Sequence, residues 1–257
     1  MSQVVSRDGT SIAYERTGVG PALILVGGGL DDSSENVPLA AALARRFTAY
    51  NYARRGRGES GDAAPYAVER ELEDIAALVE EAGGRAHLLG ISSGGMLALE
   101  AAMGGLPIDR VAVYEVPYDM SEDAPRRFRE YRQRLEAALG DGRQGDAVAL
   151  FMRLAGSSDQ EIERARSSPL WEGLEGLAHT LAYDAELYGP PPVTRLASLI
   201  QPVLVTTGGR APFFEACADA LAAAIPNAER VTLHGQGHVV DPEAIIPALE
   251  RFLHRAR

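Results

Sequence analysis

The chain has 257 residues, with 25 basic and 36 acidic side chains and a net charge of −11 at neutral pH. This length fits one large α/β domain or a smaller core with one insertion, and the negative charge disfavours nucleic acid and anionic membrane surfaces as partners. The polar first residues and the lack of a long apolar run predict a cytoplasmic location, with no secretory leader and no membrane contact.

Cysteine and histidine usage bounds the chemistry further. The single cysteine, Cys217, rules out an internal disulfide, and the sequence shows no cluster of cysteine and histidine at the spacing of metal ligands. We therefore expect no metal and no cofactor. The expected partner is a small-molecule substrate, and composition leaves open whether the chain is a monomer or a homodimer.

The chain begins with elements that predict an antiparallel start. Two short strand-like runs, residues 3–5 and 11–15, are joined by an Asp-Gly turn. A continuous apolar run over residues 22–26 is typical of a strand that is covered on both faces, and it ends in Gly27-Gly28-Gly29. Glycines at this place let a backbone N–H approach a ligand closely.

Alternation of helices and strands follows. Residues 38–46 predict a helix, residues 47–52 a strand and residues 66–82 an amphipathic helix. The glycines at positions 56, 58 and 61 match the spacing of a dinucleotide-binding turn. We discount that interpretation because no helix pattern starts at the third glycine.

The stretch from Leu88 to Gly95 carries the most specific motif. A short apolar strand runs into Gly-x-Ser-x-Gly, and residue types that favour a helix follow. This context is typical of a nucleophile elbow, which would hold the Ser92 hydroxyl at the tip of a strained turn and aim the Ser93 N–H at a developing oxyanion. The alternative is a glycine turn with an incidental serine.

Residues 110–116 predict another buried strand, with Glu115 near its carboxyl end. A carboxylate there requires a partner, and ligand sites of open α/β sheets lie at this edge. The alternation then stops, and residues 117–199 predict a helical lid. Within it Trp171 and Tyr183 are candidate substrate contacts, with packing of the lid on the core as the alternative for both.

The last part of the chain returns to alternation. Residues 202–207 and 228–233 predict strands on either side of a helix over residues 212–225, and His238 lies in the loop after the final strand. Parallel strands would bring Ser92, Glu115 and His238 to one edge of the sheet. Their order along the chain, serine then acid then histidine, is that of α/β hydrolases.

Over nearly its whole length the chain resembles the serine-nucleophile branch of the α/β-hydrolase fold superfamily. The matching motifs are the oxyanion strand and loop (residues 20–29), the Arg-Gly-x-Gly-x-Ser turn (55–60), the acidic helix start (73–75), the elbow (90–95) and the histidine loop (235–238). The resemblance implies a mostly parallel sheet of about eight strands with helices on both faces. It also implies a core over residues 1–116 and 200–257 and a helical lid over 117–199, inserted after the strand that ends at Glu115.

Three positions depart from the family pattern. Gly27 stands where a histidine usually precedes the oxyanion glycine, Ala53 replaces an aspartate, and Ala211 occupies the usual slot of the catalytic acid. We assign the acid to Glu115, because the acid has only to accept a hydrogen bond from the His238 Nδ1–H, from any strand end that can reach. The alternatives are an ion pair between Glu115 and a lid arginine, and a Ser92–His238 dyad without an acid.

These residues predict a serine hydrolase of a small or medium carboxylic ester, thioester or lactone. His238 would take the proton of Ser92, and the N–H groups of Gly29 and Ser93 would hold the oxyanion, with Gly28 as a further substrate contact. Two other classes stay open. The same site could serve a lyase, acyltransferase or cyclase of a biosynthetic pathway, or the scaffold could bind a ligand without catalysis.

Overall fold

A computed structural model describes residues 1–254 of the chain. In this part the strands are β1 (Ser2–Val5), β2 (Ser11–Thr17), β3 (Ala22–Val26), β4 (Thr48–Tyr52), β5 (Ala86–Ile91), β6 (Ile108–Tyr114), β7 (Val203–Gly209) and β8 (Ala228–Gln236). The α-helices are α1 (Val37–Leu43), α2 (Val68–Glu81), α3 (Ser93–Met103), α4 (Ala124–Gly140), α5 (Gln144–Leu154), α6 (Asp159–Arg166), α7 (Trp171–Leu177), α8 (Leu181–Leu187), α9 (Val193–Leu196), α10 (Pro212–Ala224) and α11 (Pro242–Leu253).

The strands form a single sheet in the order β1-β2-β4-β3-β5-β6-β7-β8. β1 pairs with β2, and β2 with β4, in antiparallel fashion. From β4 across to β8, each neighbouring pair of strands is parallel. This topology confirms the predicted antiparallel start and the mostly parallel sheet, and it places the carboxyl ends of β3, β5, β6 and β7 at the same edge.

The central strands send successive side chains into two apolar cores. In β6, Val111 and Val113 belong to one core, while Ala112 and Tyr114 belong to the other. Helices α2, α3 and α10 contribute side chains to the first core, and helices α1 and α11 contribute to the second. Because both faces are covered by helices, the strands need the continuous apolar runs that the sequence shows.

The chain between β6 and β7 is helical, with α4 to α9 and a short 3-10 helix at Ala178–Thr180. We call this segment, residues 124–196, the insertion. Its helix α8 packs against α2 and α3, which joins the insertion to the core beside the turn that carries Ser92. Within residues 1–254 no helix is both long and apolar enough to cross a bilayer.

Two of the strand ends that differ from the sequence-based expectation lie beside Glu115 and His238. β6 ends at Tyr114 rather than at residue 116, because Glu115 adopts a φ of 48°, which is incompatible with a strand. β8 continues to Gln236, beyond the predicted end at residue 233, and Gln236 still pairs with Gly209 of β7. Because β6 ends at Tyr114, the Glu115 side chain does not follow the alternation of side chains along the strand.

Gly94 shows how closely α3 approaches β3. A Cβ at this position would overlap the carbonyl oxygens of Val26 and Gly27, which belong to the backbone and cannot move aside. We expect Gly94→Ala to lower the free energy of unfolding by about 2 to 3 kcal/mol in urea titrations. Gly140→Ala is the matched control, since a Cβ on this helical glycine meets no atom within 4 Å. The control should be neutral or stabilising by up to about 1 kcal/mol. Equal effects of the two changes would contradict the packing described.

Candidate active site

Ser92 lies in the turn between β5 and α3, with φ 55° and ψ −126°. Such left-handed backbone is rare for a residue with a Cβ, and it persists only where the surroundings hold it. The Ser92 N–H donates to the Tyr114 carbonyl at 2.9 Å, which ties the turn to β6. A Cβ at Gly90 would overlap the backbone of Gly95, so the flanking glycines are needed for α3 to pack this closely. The turn therefore has the geometry of a nucleophile elbow.

Glu115 follows β6 directly, and its side chain is only 2% exposed. Its Oε1 accepts the Gly208 N–H at 3.0 Å, and its Oε2 lies 2.7 Å from His238 Nδ1. Among the described residues these are the hydrogen-bond partners of the carboxylate, and neither is an arginine of the insertion. The buried carboxylate is thus satisfied by two neighbours at the same edge of the sheet.

His238 is held from two further sides. The Phe214 ring, from the first turn of α10, stacks on the imidazole with a centroid distance of 4.9 Å and an interplanar angle of 13°. The Tyr114 hydroxyl donates to the Gly237 carbonyl, which fixes the loop one residue before His238. The helix that follows Ala211 therefore supplies an aromatic platform for the imidazole, and sequence reasoning missed Phe214 because no motif marks it.

A cavity of about 500 Å³ opens at this edge of the sheet, and Ser92, Glu115 and His238 all line it. Its other walls are mainly apolar and come from both the core and the insertion. They include Leu39, Ile91, Phe128, Phe151, Leu154, Tyr188, Phe213, Phe214, Val239 and Val240. A cavity of this size and character suits a small organic ligand with few polar groups.

Gly28 and Gly29 belong to the wall of the cavity. A Cβ at Gly28 would stand 3.1 Å from the Ser92 Cβ, and a Cβ at Gly29 would stand 2.9 Å from the Phe151 ring. A side chain at Gly28 would therefore crowd Ser92, and a side chain at Gly29 would displace the Phe151 ring.

Trp171 and Tyr183, which the sequence offered as substrate contacts, do not line this cavity. The Trp171 Nε1–H donates to Glu175 at 2.9 Å, and Arg166 lies over its ring. The Tyr183 hydroxyl donates to Asp62 at 2.6 Å, and its ring stacks on Tyr66. Both side chains are engaged in packing, so the geometry does not support their role as substrate contacts.

Asp31 is a buried carboxyl group in the wall of the cavity. Its Oδ2 accepts from the Asn36 side chain at 2.6 Å, and its Oδ1 accepts the backbone N–H groups of Ser33 and Glu35 at 2.8 and 3.3 Å. Burial, with a smaller effect of the Glu35 charge, raises the pKa of Asp31 to about 6. The folded protein therefore binds a proton at Asp31 more tightly than the unfolded chain does.

This difference predicts a pH-dependent stability. Because the pKa is raised in the folded state, protonated Asp31 contributes to the free energy of unfolding. This contribution is fully present below the unfolded pKa of 3.8 and is lost as the pH rises through about 6. Asp31→Asn cannot titrate, so between pH 4 and pH 7 its free energy of unfolding should rise by about 2 to 3 kcal/mol relative to the wild type. Urea unfolding of both proteins across this range measures the difference. Parallel pH profiles would contradict it.

Comparison with known proteins agrees with this architecture. Residues 23–248 match the model of an alpha/beta hydrolase family. The crystal structure of an alpha/beta hydrolase from Sphaerobacter thermophilus DSM 20745 is 47% identical, with a TM-score of 0.91 over 98% of this chain and 100% of that chain. A hydrolase from Pseudomonas aeruginosa PA01 is 25% identical, with a TM-score of 0.80 over 99% and 98% of the two chains.

A thermophilic esterase from Thermogutta terrifontis, solved with malate bound, is 23% identical, with a TM-score of 0.76 over 98% of this chain and 97% of that chain. At this identity the likeness shows a shared fold. The family match extends from β3 into α11 and so includes Ser92, Glu115 and His238. The chain belongs to the alpha/beta hydrolase family.

Proposed function

We propose that the protein is a serine hydrolase that cleaves a small or medium carboxylic ester, thioester or lactone through an acyl-enzyme on Ser92. The observation that carries the proposal is the 2.7 Å contact between the buried Glu115 carboxylate and His238 Nδ1. It occurs at the wall of a cavity that Ser92 also lines. A serine in an elbow, a histidine and a carboxylate are the three groups that acyl transfer by a serine requires.

The Glu115–His238 contact determines how the imidazole would act. When the Nδ1–H donates to the carboxylate, the Nε2 lone pair is free to accept the Ser92 proton. The Ser92 oxygen then attacks the carbonyl carbon of the substrate, and His238 returns the proton to the leaving alcohol, thiol or lactone oxygen. Water repeats the sequence on the acyl-enzyme, with His238 as its base, and releases the acid.

Two backbone N–H groups are the proposed oxyanion donors. Ser93 is the first residue of α3, and the first N–H groups of a helix have no partner within that helix. The second donor is the Gly29 N–H, from the glycine loop that lines the cavity. Each such donor is worth about a hundred- to a thousandfold in rate when it is fixed in place.

The proposed lid is residues 117–199, which contain the insertion, and its side chains support the substrate class. Phe128, Phe151 and Tyr188 of the insertion add apolar side chains to the cavity wall, which also includes Arg127 and Arg210. The apolar side chains favour contact with an apolar acyl or alcohol group. The name of the Thermogutta terrifontis relative, an esterase, agrees with this class.

Ser92→Ala tests the proposal directly. With a p-nitrophenyl butyrate substrate, we expect the wild type to show a burst of one p-nitrophenol per chain and to be labelled on Ser92 by a fluorophosphonate. Ser92→Ala should show neither the burst nor the label, and its kcat should be lower by at least about ten-thousandfold. Its thermal unfolding should be unchanged. Ser198→Ala, at an exposed serine whose hydroxyl bonds the Arg195 carbonyl, is the control that should retain all three.

Two outcomes would contradict the proposal. Turnover that survives Ser92→Ala would place the chemistry on another group. A wild type that is neither labelled nor active on esters and lactones would favour the lyase, acyltransferase, cyclase or ligand-binding alternatives.

A further inference from the structure

A buried ion-pair network lies behind the glycine loop. It consists of Arg54, Arg57, Glu71 and Asp184, whose side chains are at most 1% exposed. We call these four residues the loop anchor. Arg54 and Arg57 follow β4, Glu71 belongs to α2, and Asp184 belongs to α8 of the insertion. None of the four lines the cavity, so the mechanism above leaves them unexplained.

The charges of the loop anchor are balanced within it. Asp184 accepts from Arg54 Nη1 at 2.8 Å and from Arg57 Nη2 at 2.7 Å. Glu71 accepts two further bonds of 2.6 Å from Arg54. Burial alone would raise the pKa of Asp184, but Arg57 and Arg54 overcome this effect and hold it below its ordinary value. Buried charges persist only with such pairing. The bond to Asp184 uses Nη2 of Arg57, so its other terminal nitrogen, Nη1, can donate to another acceptor.

That acceptor is the backbone of the glycine loop. Arg57 Nη1 donates to the Gly28 carbonyl oxygen. Arg54 Nη1 lies 3.4 Å from the Gly27 carbonyl oxygen and 3.4 Å from the Ser93 hydroxyl. The loop anchor therefore touches both segments of backbone that supply the proposed oxyanion donors.

The contact with Gly28 fixes a neighbouring N–H. The Gly28 carbonyl and the Gly29 N–H belong to one peptide unit, and in a planar trans peptide these two groups point in opposite directions. With the carbonyl held toward buried Arg57, the Gly29 N–H is directed away from Arg57, and Gly28 and Gly29 both line the cavity. Glycines allow this peptide to rotate, and a rotated peptide would present its carbonyl oxygen to the substrate oxyanion.

We propose that Arg57 is a positioning residue that, itself held by Asp184 of the insertion, fixes the Gly28–Gly29 peptide in the orientation that binds the oxyanion. This inference rests on the proposed function, because it assumes that the Gly29 N–H stabilises a tetrahedral oxyanion. Through Asp184, the insertion then affects the rate of the chemical step as well as substrate recognition. The neighbouring Arg55 gives a built-in comparison, since it is also buried but bonds Asp74, Asp8 and the Arg70 carbonyl instead of the glycine loop.

The experiment compares two double variants of the full chain. Arg57→Met/Asp184→Asn removes one cation and one anion and leaves the Arg54–Glu71 pair intact. Arg55→Met/Asp74→Asn likewise removes a buried pair that joins the turn after β4 to α2, and it also removes the Arg55 partner of Asp8. We expect the first variant to lower kcat for p-nitrophenyl butyrate by about tenfold to a hundredfold with KM changed less than about threefold, because the oxyanion contact forms only in the transition state. The second variant should keep the wild-type kcat at a similar loss of thermal stability.

Arg57→Lys is assayed in parallel, in case the double variant does not fold. Its single ammonium group cannot reproduce the fork that bridges Gly28 and Asp184, so kcat should again fall at constant KM. A wild-type kcat in either folded Arg57 variant, or an equal loss of kcat in Arg55→Met/Asp74→Asn, would overturn the inference while the role of Ser92 stands. Turnover that survives Ser92→Ala would overturn the proposed function and this inference together.

Discussion

The hydrogen bond between the Glu115 carboxylate and His238 Nδ1 is the contact on which the rest of the site depends. It joins the end of β6 to the loop after β8, and the Gly208 N–H of β7, the strand between them, donates to the same carboxylate. The proposed acid therefore reaches the imidazole from the end of β6, while Ala211, after β7, occupies the slot where the family resemblance places it. The proposal allows this position because the requirement on the acid is geometric and does not specify a place in the chain.

Backbone strain marks the ends of two adjacent strands. Ser92 follows β5 with a φ of 55°, and Glu115 follows β6 with a φ of 48°. Each such residue costs about 1 to 3 kcal/mol, and it persists only where its surroundings hold it. Here the Ser92 N–H is bonded to Tyr114 and the Glu115 N–H to Thr206, so each strained residue is anchored on the next strand of the sheet. The strain turns both side chains toward the cavity.

The sequence predicted the features that local chemistry determines. Ser92 and its glycines form a contiguous motif, and His238 follows a clear strand. Glu115 is a carboxylate that needs a partner, and it lies at the end of the strand after the elbow, while Ala211 fills the usual slot of the acid. The contacts of Phe214 with His238 and of Arg57 with Asp184 were not predictable, since they join residues far apart in the chain and depend on how α10 and the insertion pack. Trp171 and Tyr183 were offered for their residue types alone, and the structure gives both of them packing partners away from the cavity.

The acylation rate of Glu115→Gln measures whether Glu115 acts as the acid of His238. The amide oxygen can still accept the Gly208 N–H, but the amide NH₂ then faces His238 Nδ1 and favours the tautomer whose Nε2 carries the proton and cannot accept one from Ser92. We expect the burst with p-nitrophenyl butyrate to slow by about a thousandfold or more at similar KM. Asp74→Asn, at a buried carboxylate that pairs with Arg55, should acylate normally. Acylation of Glu115→Gln at the wild-type rate would contradict the assignment of Glu115 as the acid.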